Sequence, residues 1–122
     1  MAIKIPGLDV NSGLELCGGN MEIYLNSLLL YVSGIPADLE KMRNVSKETL
    51  GDFYITAHSV KGMCQYIGAE EARKTAKQLE AMAKEGDLAG VLAHNEIFIK
   101  YVENIVDGVR SWLEKNGELG MS

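Results

Sequence analysis

The chain has 122 residues, with 12 Lys and Arg against 17 Asp and Glu, which gives a formal net charge of −5. This length is that of one domain, so a nucleotide-binding domain beside a separate catalytic domain is excluded. The 47% hydrophobic and 24% charged residues are typical of a folded globular protein, and the acidic balance argues against a nucleic-acid partner. Crossing a membrane requires an apolar run of about 18 residues, and every apolar run in this sequence is far shorter. The first residues lack the apolar core of a signal peptide. Two cysteines and two histidines offer neither a disulfide framework nor a zinc site, so we expect a small cytoplasmic domain without a metal.

The first elements are predicted from turn and cap residues. Residues 1–10 are predicted to be an extended lead-in, followed by a short helix over about 12–17. Asn20 is a predicted N-cap for a second helix, because its side-chain oxygen can accept a hydrogen bond from the first turn. Gly34 and Pro36 either kink this helix or divide it before it ends near residue 43, and the sequence leaves both outcomes open.

The third predicted helix has Ser46 as its N-cap and ends at Ile67, where Gly68 is a typical stop. Its apolar residues recur at intervals of three and four, which is the spacing of one buried helix face. These residues are Leu50, Phe53, Ala57, Val60, Cys64 and Ile67.

Two more helices complete the predicted fold. The fourth opens at Glu70 and Glu71 and ends at Gly86, with an inner face of Ala72, Ala76, Leu79, Met82 and Ala83. Asp87 caps the last helix, where Asn95 interrupts an apolar face of Leu88, Val91, Phe98, Val102, Ile105, Val109 and Trp112. Short loops favour an all-α, antiparallel up-down four-helix bundle with a short extra N-terminal helix. We expect residues 1–122 to form a single domain, with 117–122 as a frayed tail.

His58 is predicted to point away from the apolar face of the third helix. At 100° per residue, its position lies about 140° from the centre of that face. Tyr54, Lys61 and Gln65 share its exposed stripe, and Gly62 follows one turn later. Glycine inside a helix costs about 1 kcal/mol relative to alanine. We expect Gly62 to let a partner surface approach the imidazole, with a local packing adjustment as the alternative.

The fourth helix is expected to bring charged neighbours to His58. In an antiparallel hairpin with a rise of about 1.5 Å per residue, Lys77 to Glu80 come level with His58. A Glu80 carboxylate there would accept a hydrogen bond from Nδ1–H and leave Nε2 as the nucleophile. Lys61 and Lys77 would offer positive charge to an anionic group at Nε2. These residues suit a histidine that is phosphorylated reversibly, because phosphoryl transfer requires mainly a positioned nucleophile and charge stabilisation.

The segment HSVKGMCQYIG at residues 58–68 resembles the signature of histidine-containing phosphotransfer (HPt) domains, and the likeness covers nearly the whole chain. The resemblance implies a four-helix bundle core, His58 as the phosphoacceptor and an orienting residue on the following helix, which by position is Glu80. It also implies response-regulator receiver domains as partners, with a histidine kinase as a further candidate. The protein would be a phosphocarrier rather than a stand-alone enzyme. We expect no cofactor on this chain and Mg²⁺ on the partner receiver.

Two other functions fit the same residues. An adaptor bundle would bind a partner through the His58 face without carrying phosphate. A phosphoacceptor module of a chemotaxis-type histidine kinase would be phosphorylated from ATP by a separate kinase domain.

Tyr54 and Gln65 are expected to border the partner-binding surface, and a monomer is the expected state. His94 and the two cysteines are expected to be structural, and Met63, where the family usually has a small residue, is expected to pack against a neighbouring helix.

Overall fold

The computed structural model describes residues 3–117, so the predicted frayed tail lies outside the described residues except for Gly117. The described residues form five α-helices and no strand, which confirms the all-α prediction. The helices are α1 (Val10–Leu16), α2 (Met21–Met42), α3 (Leu50–Ile67), α4 (Glu70–Lys84) and α5 (Leu88–Lys115). None of these five helices combines the length and the apolar character that crossing a bilayer requires.

The segment before α1 is part of the folded core. Ile3 and Ile5 are buried there. Asp9 accepts a hydrogen bond from the backbone N–H of Ser12, so α1 begins at Val10, about two residues before its predicted start. Residues 1 and 2 of the predicted lead-in lie outside the described residues, and the rest of it is anchored by apolar burial and by a helix cap.

Gly34 and Pro36 do not divide α2, which continues through both residues. Asn20 caps this helix as predicted, by accepting a backbone hydrogen bond from the first turn at 3.1 Å. Ile35 and Leu39 lie on either side of Pro36 and are buried, so packing on the core holds both halves in one helix. Pro36 itself is exposed, and because it has no N–H it leaves the carbonyl of Val32, four residues earlier, without its usual helical donor.

The N-cap predicted for α3 is wrong. This helix begins at Leu50, and Thr49 rather than Ser46 is the N-cap residue. The Thr49 hydroxyl accepts a hydrogen bond from the Ser46 N–H at 2.8 Å, and the Ser46 carbonyl accepts one from the Thr49 N–H at 3.1 Å. These bonds close a turn before the helix. The predicted end is confirmed, because Gly68 follows Ile67 with a φ of +81°, the left-handed conformation that favours glycine.

The core lies between the four longer helices. Helix α3 packs against α2 and α4, α5 packs against α4 and α2, and α1 packs on α3. All six apolar residues predicted for the inner face of α3 are buried. Helix α4 ends at Lys84 because the chain turns into the left-handed Gly86, and Met82 on its inner face is only half-buried. On α5, Leu113 rather than Trp112 is fully buried, because the 3.6-residue period continues the inner face to that position.

Asn95, the polar residue predicted within the apolar face of α5, is buried and completes the end of α2. Its Nδ2 donates a hydrogen bond at 2.8 Å to the carbonyl of Met42, the last residue of α2. The last carbonyls of a helix lack intrahelical donors, so the Asn95 amide supplies one where water has little access. This hydrogen bond ties α2 to α5.

Candidate functional site

His58 lies on the exposed face of α3, with 64% of its side chain accessible to solvent. The inward-facing residues Ala57 and Val60, which precede and follow it, are fully buried. Their packing holds the α3 backbone in place while the imidazole stays accessible. The structure therefore presents His58 in the outward orientation that the spacing predicts.

The Glu80 carboxylate reaches His58 from the neighbouring helix α4. Its Oε2 contacts Nδ1 of His58, and its Oε1 accepts a hydrogen bond from Lys61 Nζ at 2.8 Å. The side chains of Glu80 and Lys61 are 12% and 23% exposed, so their ion pair lies below the surface on which His58 lies. One carboxylate therefore holds both the histidine and the lysine.

The contact with Glu80 distinguishes the two nitrogens of the His58 ring. An ionised carboxylate only accepts hydrogen bonds, so Nδ1 is the nitrogen that carries the hydrogen toward Glu80. In the neutral ring the lone pair then belongs to Nε2, on the other side of the imidazole. Nε2 is therefore the atom that can act as a nucleophile.

The pKa of the Glu80 carboxyl is set by its two partners. Burial opposes ionisation, but the hydrogen bonds and positive charges of Lys61 and His58 outweigh it and hold the pKa below its ordinary value. The carboxylate is therefore ionised at neutral pH. In that form it can stabilise the positive charge that the imidazole acquires when Nε2 forms a bond.

Gly62 leaves open space one turn after His58. A Cβ added to Gly62 would meet no atom within 4 Å beyond its own helix backbone and chain neighbours. Packing inside the protein therefore does not require glycine at this position. This observation argues against a local packing adjustment and favours access to the imidazole as the reason for Gly62.

Three other residues predicted for the site lie around the His58 cluster rather than in it. Lys77 is exposed on α4, and no carboxylate of the described residues lies within 4.0 Å of its Nζ. Gln65 is exposed two turns beyond His58, and Tyr54 is half-buried against the core. The structure thus leaves these three side chains on the surrounding surface.

The ion pair between Lys61 and Glu80 is a feature that sequence reasoning misses. The sequence assigns Lys61 only to an incoming anion, although Lys61 lies one turn from His58 on the same stripe. A carboxylate that comes level with His58 is also within reach of a long side chain one turn away. The signal is therefore present in the spacing of the two residues.

The remaining candidates have other surroundings. Cys64 Sγ lies 3.5 Å from the Tyr31 hydroxyl, and burial raises the pKa of the thiol to about 11, so Cys64 is not an available nucleophile. Met63 packs against α2 as predicted, since a Cβ on Gly34 would lie 3.3 Å from Met63 Cε. His94 is exposed on α5 rather than part of the core. Within residues 3–117, no group of three or more His, Cys, Asp or Glu side chains is placed to hold a metal ion.

Comparison with protein families identifies the class of protein. A model of the family described as Hpt domain matches residues 27–112, which include all of α3 and α4 and most of α2 and α5. The chain therefore belongs to the Hpt domain family, whose members carry out histidine phosphotransfer in two-component signalling and interact with response-regulator receiver domains. No curated protein matched the chain, and no solved structure matched it.

Proposed function

We propose that this protein is a phosphorelay intermediate of the cytoplasm, in which His58 carries the phosphoryl group between two receiver domains. Nε2 of His58 attacks the phosphorus of an aspartyl phosphate on the first receiver. A P–N bond forms, the P–O bond to the aspartate breaks, and the aspartate leaves as a carboxylate. An aspartate carboxylate of the second receiver then attacks the phosphohistidine, and the P–N electron pair returns to the imidazole.

The observation that carries this proposal is the Glu80 carboxylate behind an exposed histidine. Burying a carboxylate costs free energy unless it is paired and hydrogen-bonded. Glu80 is engaged by both His58 and Lys61, so its position fixes the imidazole ring and reserves Nε2 for bond formation. A surface histidine with no chemical role has no need of such a partner.

Each neighbour of His58 has a proposed role. Glu80 orients the ring and balances its positive charge as the phosphorus approaches. Lys61 Nζ carries three N–H donors, so it can stay bonded to Glu80 and donate to a phosphoryl oxygen. Gly62 admits the receiver, which is proposed to hold the Mg²⁺ ion. Three surrounding residues are proposed to border the partner or to add charge: Tyr54, Gln65 and Lys77.

We propose in addition that α2 to α5 form an antiparallel up-down bundle in a single monomeric domain. Gly34 of α2 lies against Met63 of α3, and the Tyr24 hydroxyl donates a hydrogen bond at 2.8 Å to the Ile67 carbonyl. Residue numbers therefore fall along α2 as they rise along α3, which supports opposite directions. The contact of His58 with Glu80 supports the same relation between α3 and α4.

Transfer of radioactive phosphate tests the proposed function. Receiver domains from the source organism are labelled at their aspartate and mixed with the purified protein, and the label on this chain is followed with time. We expect acid-labile label on the wild-type chain and none on His58→Gln, and then passage of the label to a second receiver. Label on His58→Gln at the wild-type level would contradict the proposal.

The alternative functions predict different results in the same system. An adaptor bundle predicts that no receiver labels the chain and that His58→Ala leaves partner binding unchanged. A chemotaxis-type phosphoacceptor, which the Glu80 carboxylate also suits, predicts labelling from ATP by a separate kinase domain. Adding ATP and a purified histidine kinase domain as a second phosphate source distinguishes it from the relay.

A further inference from the structure

The two flanks of His58 face different helices. Lys61 turns toward α4, where it pairs with Glu80. Met63 turns toward α2, where it lies next to Gly34. These two contacts identify which side of α3 faces each neighbour, so the other exposed residues of α3 can be assigned to the α2 side or the α4 side from their helical positions.

The α2 side of His58 carries several exposed apolar side chains, together with the exposed Ser59. Ile55 lies one turn before His58 and Tyr66 two turns after it, both on the flank of Met63, and each is more than half exposed. Leu30 of α2 is 67% exposed, and together with Met63 and Tyr66 it lines a small pocket of about 130 Å³. We refer to Leu30, Met63 and Tyr66, which line this pocket, as the apolar patch.

The α4 side of His58 carries unpaired positive charge. Five of the 12 basic residues but three of the 17 acidic residues lie at positions 58–84, although the chain as a whole is acidic. Those three carboxylates are engaged in ion pairs with basic residues of the same segment, namely Glu70 with Arg73, Glu71 with Lys74 and Glu80 with Lys61.

Lys77 and Lys84 are the basic residues of this segment that remain unpaired. Both are exposed, and no described carboxylate lies within 4.0 Å of either. They lie seven residues apart on one face of α4 with Glu80 between them, about 4.5 and 6 Å from it along the helix axis. Since Glu80 contacts His58, this basic pair flanks the level of the imidazole.

We propose that the apolar patch and the basic pair together form an asymmetric docking surface that seats a receiver domain in one orientation over His58. This inference rests on the proposed function and adds the residues that orient the partner. A receiver presents its aspartyl phosphate among the carboxylates that hold Mg²⁺, so the rim of its site is acidic and complements Lys77 and Lys84. The pocket between Leu30 and Tyr66 is proposed to accept an apolar side chain of the same receiver.

The difference between the two sides is what selects the orientation. A receiver rotated by half a turn would place its acidic rim on the apolar patch and its apolar side chain on the basic pair. Both contacts would then be lost, and charged groups would be desolvated without a partner. Only one orientation makes both contacts while it brings the phosphorus to Nε2 of His58.

A second apolar groove offers a matched control. It lies between α4 and α5, has a volume of about 460 Å³, and includes none of the residues that contact Glu80. Ile97 in this groove is 73% exposed, which matches the exposure of Leu30. We therefore expect the fold to tolerate glutamate at either position to a similar degree, and thermal unfolding of the two variants checks this.

Leu30→Glu tests the apolar patch, with Ile97→Glu as its control. The probe is the receiver domain that exchanges phosphate fastest with the wild-type chain in a panel from the source organism. Phosphoramidate, a small phosphoryl donor that needs no docking, measures the reactivity of His58 itself. For each variant, the second-order rate constant for transfer from the receiver is divided by its rate constant for labelling with phosphoramidate. We expect this ratio to fall by about 10-fold or more in Leu30→Glu and by less than about twofold in Ile97→Glu.

Lys77→Glu tests the basic pair, with the exposed Lys100 of α5 as the matched control in Lys100→Glu. Charges at the rim of an interface act mainly on association and are screened by salt. We therefore expect Lys77→Glu to lower the rate constant by about 3- to 10-fold at low salt and to flatten its salt dependence. Lys100→Glu should stay within about twofold of the wild-type chain.

The outcomes separate this inference from the proposed function. Equal losses for Leu30→Glu and Ile97→Glu, or no loss for either, would overturn the asymmetric docking surface and leave His58 as the phosphoacceptor. A loss for Ile97→Glu alone would assign docking to the α4–α5 groove and would also overturn it. Self-association that disappears in Leu30→Glu would make the patch a contact between copies of this chain, which would likewise overturn the docking surface. If the wild-type chain exchanges phosphate with no receiver, the proposed function itself fails.

Discussion

Removing the Glu80 carboxylate should weaken the chemistry of His58 more than the fold. In Glu80→Ala, His58 and Lys61 each lose a charge-assisted hydrogen bond. Such a bond contributes about 1.5–3 kcal/mol where solvent is excluded, but His58 is largely exposed and water replaces most of its bond. Lys61 is less exposed and regains less hydration. We expect the free energy of unfolding to fall by about 1–2 kcal/mol, which leaves the protein folded.

The rate of phosphotransfer should fall further. A group that orients a functional histidine from behind typically affects activity by about 10- to 100-fold, which corresponds to about 1.4–2.7 kcal/mol of transition-state free energy. Without Glu80, the Nδ1 hydrogen has no fixed acceptor, so the ring reorients and Nε2 is no longer reserved for attack. Glu80→Gln keeps a carbonyl acceptor without the charge, and we expect an intermediate loss.

Two measurements check this prediction. The initial rate of transfer from a labelled receiver measures the chemistry, and nitrogen NMR of the imidazole reports which nitrogen carries the hydrogen. We expect a clear preference for Nδ1–H in the wild-type chain and a loss of that preference in Glu80→Ala. A Glu80→Ala protein with wild-type transfer rate and wild-type tautomer would refute the reasoning.

Three further predictions concern acid stability, the pair of left-handed glycines Gly68 and Gly86, and Gly62. The pKa of Glu80 is lower in the folded chain than in the unfolded chain, so its stabilising contribution is present above the ordinary carboxyl pKa of about 4.3 and is lost as pH falls through the lowered folded value. The decrease in unfolding free energy measured below about pH 5 should therefore be smaller for Glu80→Gln, and identical pH profiles would contradict this linkage. Gly68→Ala should cost about 2–4 kcal/mol in urea unfolding, because a Cβ there would lie 1.9 Å from the Asp9 carbonyl oxygen in addition to the positive φ. Gly86→Ala, with a positive φ but no neighbour within 4 Å, should cost only about 1 kcal/mol, and equal costs would argue against the close approach of Asp9. Gly62→Ala should raise the free energy of unfolding by about 0.5–1 kcal/mol. Gly62→Trp should slow phosphotransfer from a receiver, because the large side chain would block the approach to His58. An unchanged transfer rate would argue against access as the reason for this glycine.

The helices are predictable from the sequence because each depends on the spacing of residues within one segment. The buried face of α3 follows from apolar residues at intervals of three and four, and all of them are buried. The errors fall at helix ends, where several polar residues compete. Ser46 has the right side chain for an N-cap, but Thr49 engages its backbone in a turn and α3 begins later. The effect of Pro36 is ambiguous in the sequence, because it depends on how Ile35 and Leu39 pack against the other helices.

The site is predictable in part for the same reason. The outward direction of His58 follows from its own helix, and the approach of Glu80 follows from equal distances along two helices joined by a short turn. The second contact of Glu80, with Lys61, is indicated by the one-turn spacing of His58 and Lys61 but is not determined by it, because it also depends on the side-chain directions of Lys61 and Glu80 across the helix interface. Lys77 lies at about the same height as His58 along the helix axes, so the sequence predicts that it belongs to the site. In the structure its side chain is exposed on the surface.

The sequence by itself determined that this chain of 122 residues folds as helices with His58 facing outward beside Lys61 and Gly62. These properties are local, since they arise from propensity, spacing and helical period within single segments. The tertiary structure alone decided that the Glu80 carboxylate also pairs with Lys61, and that exposed apolar side chains lie toward α2 and exposed basic side chains toward α4. Those properties depend on how the helices pack on a shared core. This packing sets the rotation of each helix about its axis and its height relative to its neighbours, and the sequence of a single helix does not specify either of these.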